Sequence, residues 1–245
     1  MIIDAHGHIG KFPPWPLARS EAEDIVDMLK EEKIDYVIAS SAKSICYDCK
    51  EGNNEILLAA KKHKEILPLA CVNPWYKKEA ISELKSFTNK PYVGVKLHPS
   101  RHYYPICGSL AEPVLAMCEE MNIPILTHSA ESDSTCNSNT LKKVLKKHRN
   151  LVLIAGHAGF SSFEMAELAS KYKNFYLEIS VNYEAGKLEH IIELAGADKI
   201  LFGSDIPLHH PSVILQRLRK AKRSDNDEGK ILYKNAERVF RLKLD

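Results

Sequence analysis

The sequence predicts an α/β chain folded as one (β/α)8 TIM barrel, and three observations carry that expectation. Eight apolar, β-branched runs alternate with amphipathic helical stretches from end to end. The 245 residues match the ~250 of a barrel that forms a single unit. The competing open, doubly wound sheet calls for a glycine-rich phosphate loop, and neither G-x-G-x-x-G nor G-x-x-x-x-G-K occurs.

The elements follow in order. MIIDA opens the chain as the first strand, and a helix is expected from Ser20, where Glu23 completes a capping box. DYVIAS precedes a helix over 52–63, ILPLACV one over 78–87, and YVGVKLH one over 110–121. IPILTH leads to 140–148, LVLIAGH to 162–172, FYLEIS to 186–195 and KILFGSD to 211–222. GKILYKNAERVFRL closes the chain as a further helix. No linker, low-complexity tract or repeat divides it, so residues 1–245 are expected to form a single domain.

Composition narrows the class. A chain of this length buries roughly 75% of its unfolded surface, and 44% hydrophobic residues supply a core. With 34 basic and 32 acidic side chains the net charge is +2, so neither nucleic acid nor a membrane is an expected partner. No apolar run approaches the ~20 residues of a membrane span. The N-terminus lacks a signal peptide's basic start and apolar segment, so a cytoplasmic location is expected. The C-x-x-C at Cys46 and Cys49 has no second copy to complete a zinc ribbon, and free thiols are expected. An accessory metal or redox site is the alternative, because Cys46, Cys49, Cys107 and Cys136 fall in segments expected to be loops on one face.

Active sites of barrel enzymes lie at the C-terminal ends of the strands. His6 and His8 stand at the end of the first strand, two residues apart, so both imidazoles point to one side. Paired neutral imidazoles suit a divalent metal, with zinc the expected ion. Other strand ends add Lys96 and His98, then Thr127-His128-Ser129, His157 and Asp205. Each alone has an ordinary structural reading; together, in register with the strands, they form a constellation. A zinc-bound water has its pKa lowered from 15.7 to roughly 7. Asp205 could then accept the water proton and return it to a leaving group, while the metal or His157 stabilises the attacked carbonyl.

The motifs D-A-H-G-H, G-V-K-L-H-P, T-H-S, G-H-A-G, G-S-D-I-P and N-A-E-R-V-F-R-L resemble those of the amidohydrolase superfamily. The resemblance covers the whole chain, and lies with the branch of small metal-dependent hydrolases and non-oxidative decarboxylases. It implies that His6, His8, His128 and Asp205 hold one metal ion and that His157 polarises or protonates the substrate. Lys96 matches the position that carries a carboxylated lysine in two-metal members, where His128 and His157 would bind the second ion. The favoured reading is one ion, with Lys96 an unmodified cation that grips a substrate carboxylate or pairs with Asp205. Hydrolysis of an amide, ester or lactone of a small molecule is the leading expectation. Decarboxylation of a small carboxylate is the alternative, disfavoured because the chain is short beside decarboxylases with longer insertions. A metal-free lactonase or ligand-binding barrel is the third reading, and the resemblance suggests a homodimer.

The rim loops supply further candidates. Trp15 in KFPPWP is expected to hold its loop against the barrel, with capping of a substrate ring as the alternative. Arg101 suits a carboxylate by its planar fork, against a plain reading as a solvated loop residue. His98 either lines the pocket or begins a loop before Pro99. His209 and His210 are expected to lead into the last barrel helix rather than line the site, and periodicity does not decide whether Glu178 points inward.

Overall fold

Each strand run is apolar at successive positions because both of its faces are covered, one by the barrel interior and one by a helix. The structure, a computed structural model, describes residues 1–184, 186–221 and 225–244. Parallel strands pair in sequence order: β1 (Ile3–Ile9), β2 (Tyr36–Ser41), β3 (Ile66–Cys71), β4 (Gly94–Leu97), β5 (Ile125–Thr127), β6 (Leu153–Ala155), β7 (Phe175–Glu178) and β8 (Ile200–Leu201). Between β8 and β1 the ring is closed by backbone bonds: Ala5 N to Phe202 O at 2.9 Å, Asp205 N to His6 O at 2.8 Å and His8 N to Ile206 O at 2.7 Å. The expected (β/α)8 barrel is the observed one.

A helix follows every strand: α1 (Ala22–Glu31), α2 (Cys49–Lys62), α3 (Lys78–Lys85), α4 (Glu112–Glu120), α5 (Ser138–Lys147), α6 (Phe163–Lys171), α7 (Lys187–Ala195) and α8 (Pro211–Lys220). These fall close to the expected spans; the expected end at 222 lies outside the described residues. The first cap is corrected: Asp24 accepts from the N–H groups of Ser20 and Glu21 at 3.0 and 3.1 Å, while Glu23 pairs with Lys62 of α2. After a π-helical turn (Lys230–Lys234), the last helix, α9 (Asn235–Phe240), plugs the N-terminal end of the barrel. Its Ala236, Val239 and Phe240 pack on the inner layer of Ile3, Ala5, Ile38, Leu69, Leu126, Ile154 and Leu201. Each such buried aliphatic side chain contributes about 1.5–3 kcal/mol.

The opening stretch departs from simple alternation. Ile3 and Ala5 face the interior, so a regular strand would turn His6 and His8 outward. The pairing with β2 shifts by one residue between Asp4 and Gly7, a bulge that reverses the parity. Asp4 stabilises the bulge, its Oδ1 accepting from His6 N at 3.1 Å. Both histidines are therefore inward, and Ile9 joins the outer core against the helices.

One close approach holds the loop above β2. Gly52 of α2 lies against Ser44 of the short helix Ala42–Cys46, where a Cβ would overlap Ser44 backbone atoms. Gly52→Ala is expected to destabilise the protein by about 1–2 kcal/mol, an overpacking cost of about 3 kcal/mol exceeding the ~1 kcal/mol gained in helix propensity. Denaturant unfolding checks this; an unchanged or raised midpoint would contradict it.

Candidate active site

The strand ends converge on a cavity of about 480 Å3 at the barrel mouth, and its wall includes His6, His8, Trp15, Lys96, His98, Arg101, His128, His157 and Asp205. All nine expected site residues line this one cavity, and the ligand atoms of His6, His8 and Asp205 lie within 4.8 Å of one another, a group that does not include the expected fourth ligand, His128. Phe12, Phe160, Val181 and His209 complete much of the remaining wall.

The inner floor is a set of lone-pair donors. His8 Nε2 and His6 Nε2 approach Asp205 Oδ1 at 3.1 and 3.5 Å. The opposite nitrogens are engaged: His6 Nδ1 meets Glu178 Oε2 at 2.6 Å, and His8 Nδ1 meets Ser40 Oγ at 3.0 Å. Two imidazoles oriented through their second nitrogens, with a carboxylate beside them, fit a divalent ion. Burial lowers the pKa of both histidines, which keeps them neutral as a metal requires. Burial also pushes Asp205 up, but the His8 hydrogen bond and the His157, His8 and Lys96 charges outweigh it and bring the carboxyl to about 2.

Glu178 resolves to an inward position at the end of β7, fully buried. Besides His6 it accepts from His157 N at 3.1 Å, from Ser180 Oγ at 2.9 Å and from the Ser180 N–H. Burial pushes its carboxyl up to about 8, against the pull of the Ser180 and His157 N–H groups. His6, His157 and Glu178 form a second cluster of ligand atoms, but these four donors use the Glu178 oxygens, so it orients His6. Its carboxylate also lies against Gly203, where any Cβ would overlap it; this close approach explains the glycine of G-S-D.

A second chain of hydrogen bonds assigns tautomers. Ser180 Oγ donates to Glu178, so it accepts from His157 Nδ1 at 2.7 Å. His157 Nε2 then carries a lone pair and accepts from His128 Nδ1 at 3.2 Å, which leaves a lone pair on His128 Nε2. Burial lowers the pKa of His128 to about 4 and that of His157 well below the usual imidazole value. His157, Val181 and Asp205 hold φ of 61°, 64° and 65°, a left-handed conformation costly to non-glycine residues. This strain is concentrated at the ends of β6, β7 and β8.

Several expectations are corrected by these positions. Lys96 makes no ion pair with Asp205 among the described residues; its Nζ donates to His6 Nε2 at 2.5 Å. Burial lowers the Lys96 amine to about 8, with Asp205 and Glu178 opposing the shift. Trp15 is 50% exposed at the cavity rim, so it does not anchor its loop by burial. Arg101 is part of the wall, its Nη2 donating to Pro13 O at 2.8 Å, rather than a solvated residue. His98 does both things weighed for it: its ring stacks on His128 at 4.3 Å, and its Nδ1 accepts from Arg101 N at 3.3 Å to cap the turn Pro99–His102. His209 lines the cavity against expectation, while His210 caps α8 as expected. The cysteines are free thiols, but Cys49 opens α2 and Cys136 is buried beside Ser100, so they do not share one loop face.

Residues 3–242 match a family model described as Amidohydrolase. None of the curated proteins matches the sequence. Among solved structures, a dihydroxybenzoic acid decarboxylase of Polaromonas sp. with bound manganese and 2-nitroresorcinol is similar at 17% identity and TM-score 0.81, over 100% of this chain and 98% of that one. The 5-carboxyvanillate decarboxylase of Sphingomonas paucimobilis is similar at 13% identity and TM-score 0.78, over 99% of both chains. A 2,6-dihydroxybenzoate decarboxylase of Rhizobium is similar at 16% identity and TM-score 0.78, over 98% of both chains. These alignments run nearly the full length of each decarboxylase.

Proposed function

The chain belongs to the amidohydrolase family, and on that premise we propose that it is a metal-dependent decarboxylase releasing carbon dioxide from a small carboxylate. The observation that carries this reading is the composition of the cavity wall. Two cationic side chains, Lys96 and Arg101, share it with the His6–His8–Asp205 donors, beside the rings of Phe12, Trp15 and Phe160. Cations fix a carboxylate, and aromatic walls hold a planar acid. The similar decarboxylases that act on aromatic acids support the same choice over hydrolysis.

His6, His8, His128 and Asp205 would hold one divalent ion, which supplies positive charge to bind the acid and draw electron density from it. Manganese is the ion named with the Polaromonas enzyme, and zinc is the ion the imidazole donors suggest. Arg101 and Lys96 orient the carboxylate. As the carbon–carbon bond breaks, its electron pair stays on the substrate carbon and a proton must replace the departing carbon dioxide. Asp205 is the proposed proton carrier, because its carboxylate stands on the cavity wall beside the His6 and His8 nitrogens, where a proton can pass to the substrate carbon. His157, fixed by Ser180 and adjoining His128, faces the substrate and steers it against Asp205.

The test is a panel of small aromatic carboxylates, with carbon dioxide measured directly and metal counted by elemental analysis. At least one acid should release carbon dioxide, with about one divalent ion per chain. Chelator-stripped protein should lose that activity and regain it with manganese or zinc. Hydrolysis of esters or lactones without carbon dioxide from any acid would overturn the proposal and favour the hydrolase.

A further inference from the structure

Two thiols that take no part in the site above are held side by side by the fold. Cys71 ends β3, level with Lys96 on β4. Asn53 of α2 donates its Nδ2 to Cys71 O at 3.0 Å and accepts from Cys71 N at 2.9 Å, which pins this face of the helix to the end of β3. Cys49 lies one turn earlier, and residues four apart share a helix face. Its sulfur is thereby carried to the same place: it donates to Ser44 O at 3.3 Å and packs against the small buried cluster of Phe12, Ala42, Ile45 and Cys71. Both residues line a second cavity of about 420 Å3 that reaches the starts of α2 and α3, outside the candidate active site.

The two sulfurs differ in access to solvent. Cys49 is partly exposed, so peroxide in solvent can reach it, and it is the first residue of α2. Cys71 is buried, and the neighbouring thiol together with burial pushes its own thiol well up. Cys46, the other half of the C-x-x-C, ends the short helix Ala42–Cys46 and interacts with Arg101 instead.

We propose that Cys49 and Cys71 form a peroxide-reactive modification site that closes to a reversible disulfide. The Cys49 thiolate attacks hydrogen peroxide, breaking the oxygen–oxygen bond to give a sulfenic acid and hydroxide. The Cys71 sulfur then displaces the sulfenic hydroxyl, so that the sulfur–sulfur bond forms as the sulfur–oxygen bond breaks. Two electrons pass from the thiol pair to the peroxide, and the thiol protons leave in the two waters formed. The bond ties the start of α2 to the end of β3, beside the strand that carries Lys96.

The experiment treats the full-length protein, as purified and reduced, with a small excess of hydrogen peroxide. Alkylation under denaturing conditions and peptide mass mapping then read the thiols. Two alkylatable thiols should disappear, a Cys49–Cys71 linked peptide should appear, and dithiothreitol should reverse both. Cys49→Ser should abolish the link and leave Cys71 alkylatable, while Cys46→Ser should still form it. Replacement of Cys71 alters a buried position, so the partly exposed Cys49 carries the test. Sulfinic acid at Cys49 with Cys71 still a thiol, a Cys46–Cys49 link, or no loss of thiols would each overturn the proposal. The readout is mass, so it stands apart from whether carbon dioxide is released.

Discussion

Asp205→Asn is expected to lower turnover by about a thousandfold or more, even at saturating metal, while leaving the protein folded. The variant loses the anionic donor and the proposed proton carrier together, and general acid–base groups alone account for about 10²–10⁴-fold. Folding should survive for two reasons. Asparagine is among the residues that best tolerate a left-handed backbone, and position 205 has φ of 65°. Its side-chain NH2 can donate to the lone pair of His8 Nε2, which lies 3.1 Å from Oδ1 of the aspartate. Carbon dioxide release at saturating manganese or zinc, with circular dichroism for the fold, provides the check. Turnover within tenfold of the parent protein would remove Asp205 from the proposed chemistry.

Glu178→Gln is the second large effect, and it acts through other residues. Glu178 never reaches the cavity wall, yet it accepts from His6, from Ser180 twice and from the His157 backbone. An amide keeps one acceptor oxygen and turns the other towards these donors as an NH2. His6 then loses its fixed orientation, and partners of metal-ligating histidines of this kind cost about 10–100-fold in metal affinity or activity when changed. A buried donor left without an acceptor adds about 1–3 kcal/mol of destabilisation. Metal titration should show weaker binding, and denaturant unfolding a lower midpoint. Saturating metal should recover much of the activity, which sets this positioning role apart from the loss at Asp205. Unchanged metal affinity would refute it.

Most of the candidate site was legible because barrel geometry sends chemistry to strand ends. Once KLH, LTH, IAGH and FGSD were placed as strand ends, Lys96, His98, His128, His157 and Asp205 had to meet at one mouth. The weakest readings were those at the rim. Trp15, Arg101 and His209 sit in the segments beyond the strand ends, where no strand periodicity constrains a side chain, and each took the position that its more ordinary reading disfavoured. Ser180 and Ser40 carry no sequence signal, since nothing in a lone serine shows that it orients an imidazole.

The sequence by itself determined the barrel, the order of its helices and the residue types gathered at its mouth. These follow from local periodicity and chain length, which one-dimensional pattern carries in full. Only the tertiary structure decided which nitrogen of each histidine faces the cavity, that Glu178 anchors His6 while Ser40 anchors His8, and that a bulge between Asp4 and Gly7 turns His6 and His8 inward. The reason is physical. Side-chain parity along β1 depends on pairing with β2, and an imidazole's tautomer depends on acceptors as far away as 172 residues in sequence. Neither partner is written in the stretch D-A-H-G-H itself, although the aspartate that satisfies the bulge is.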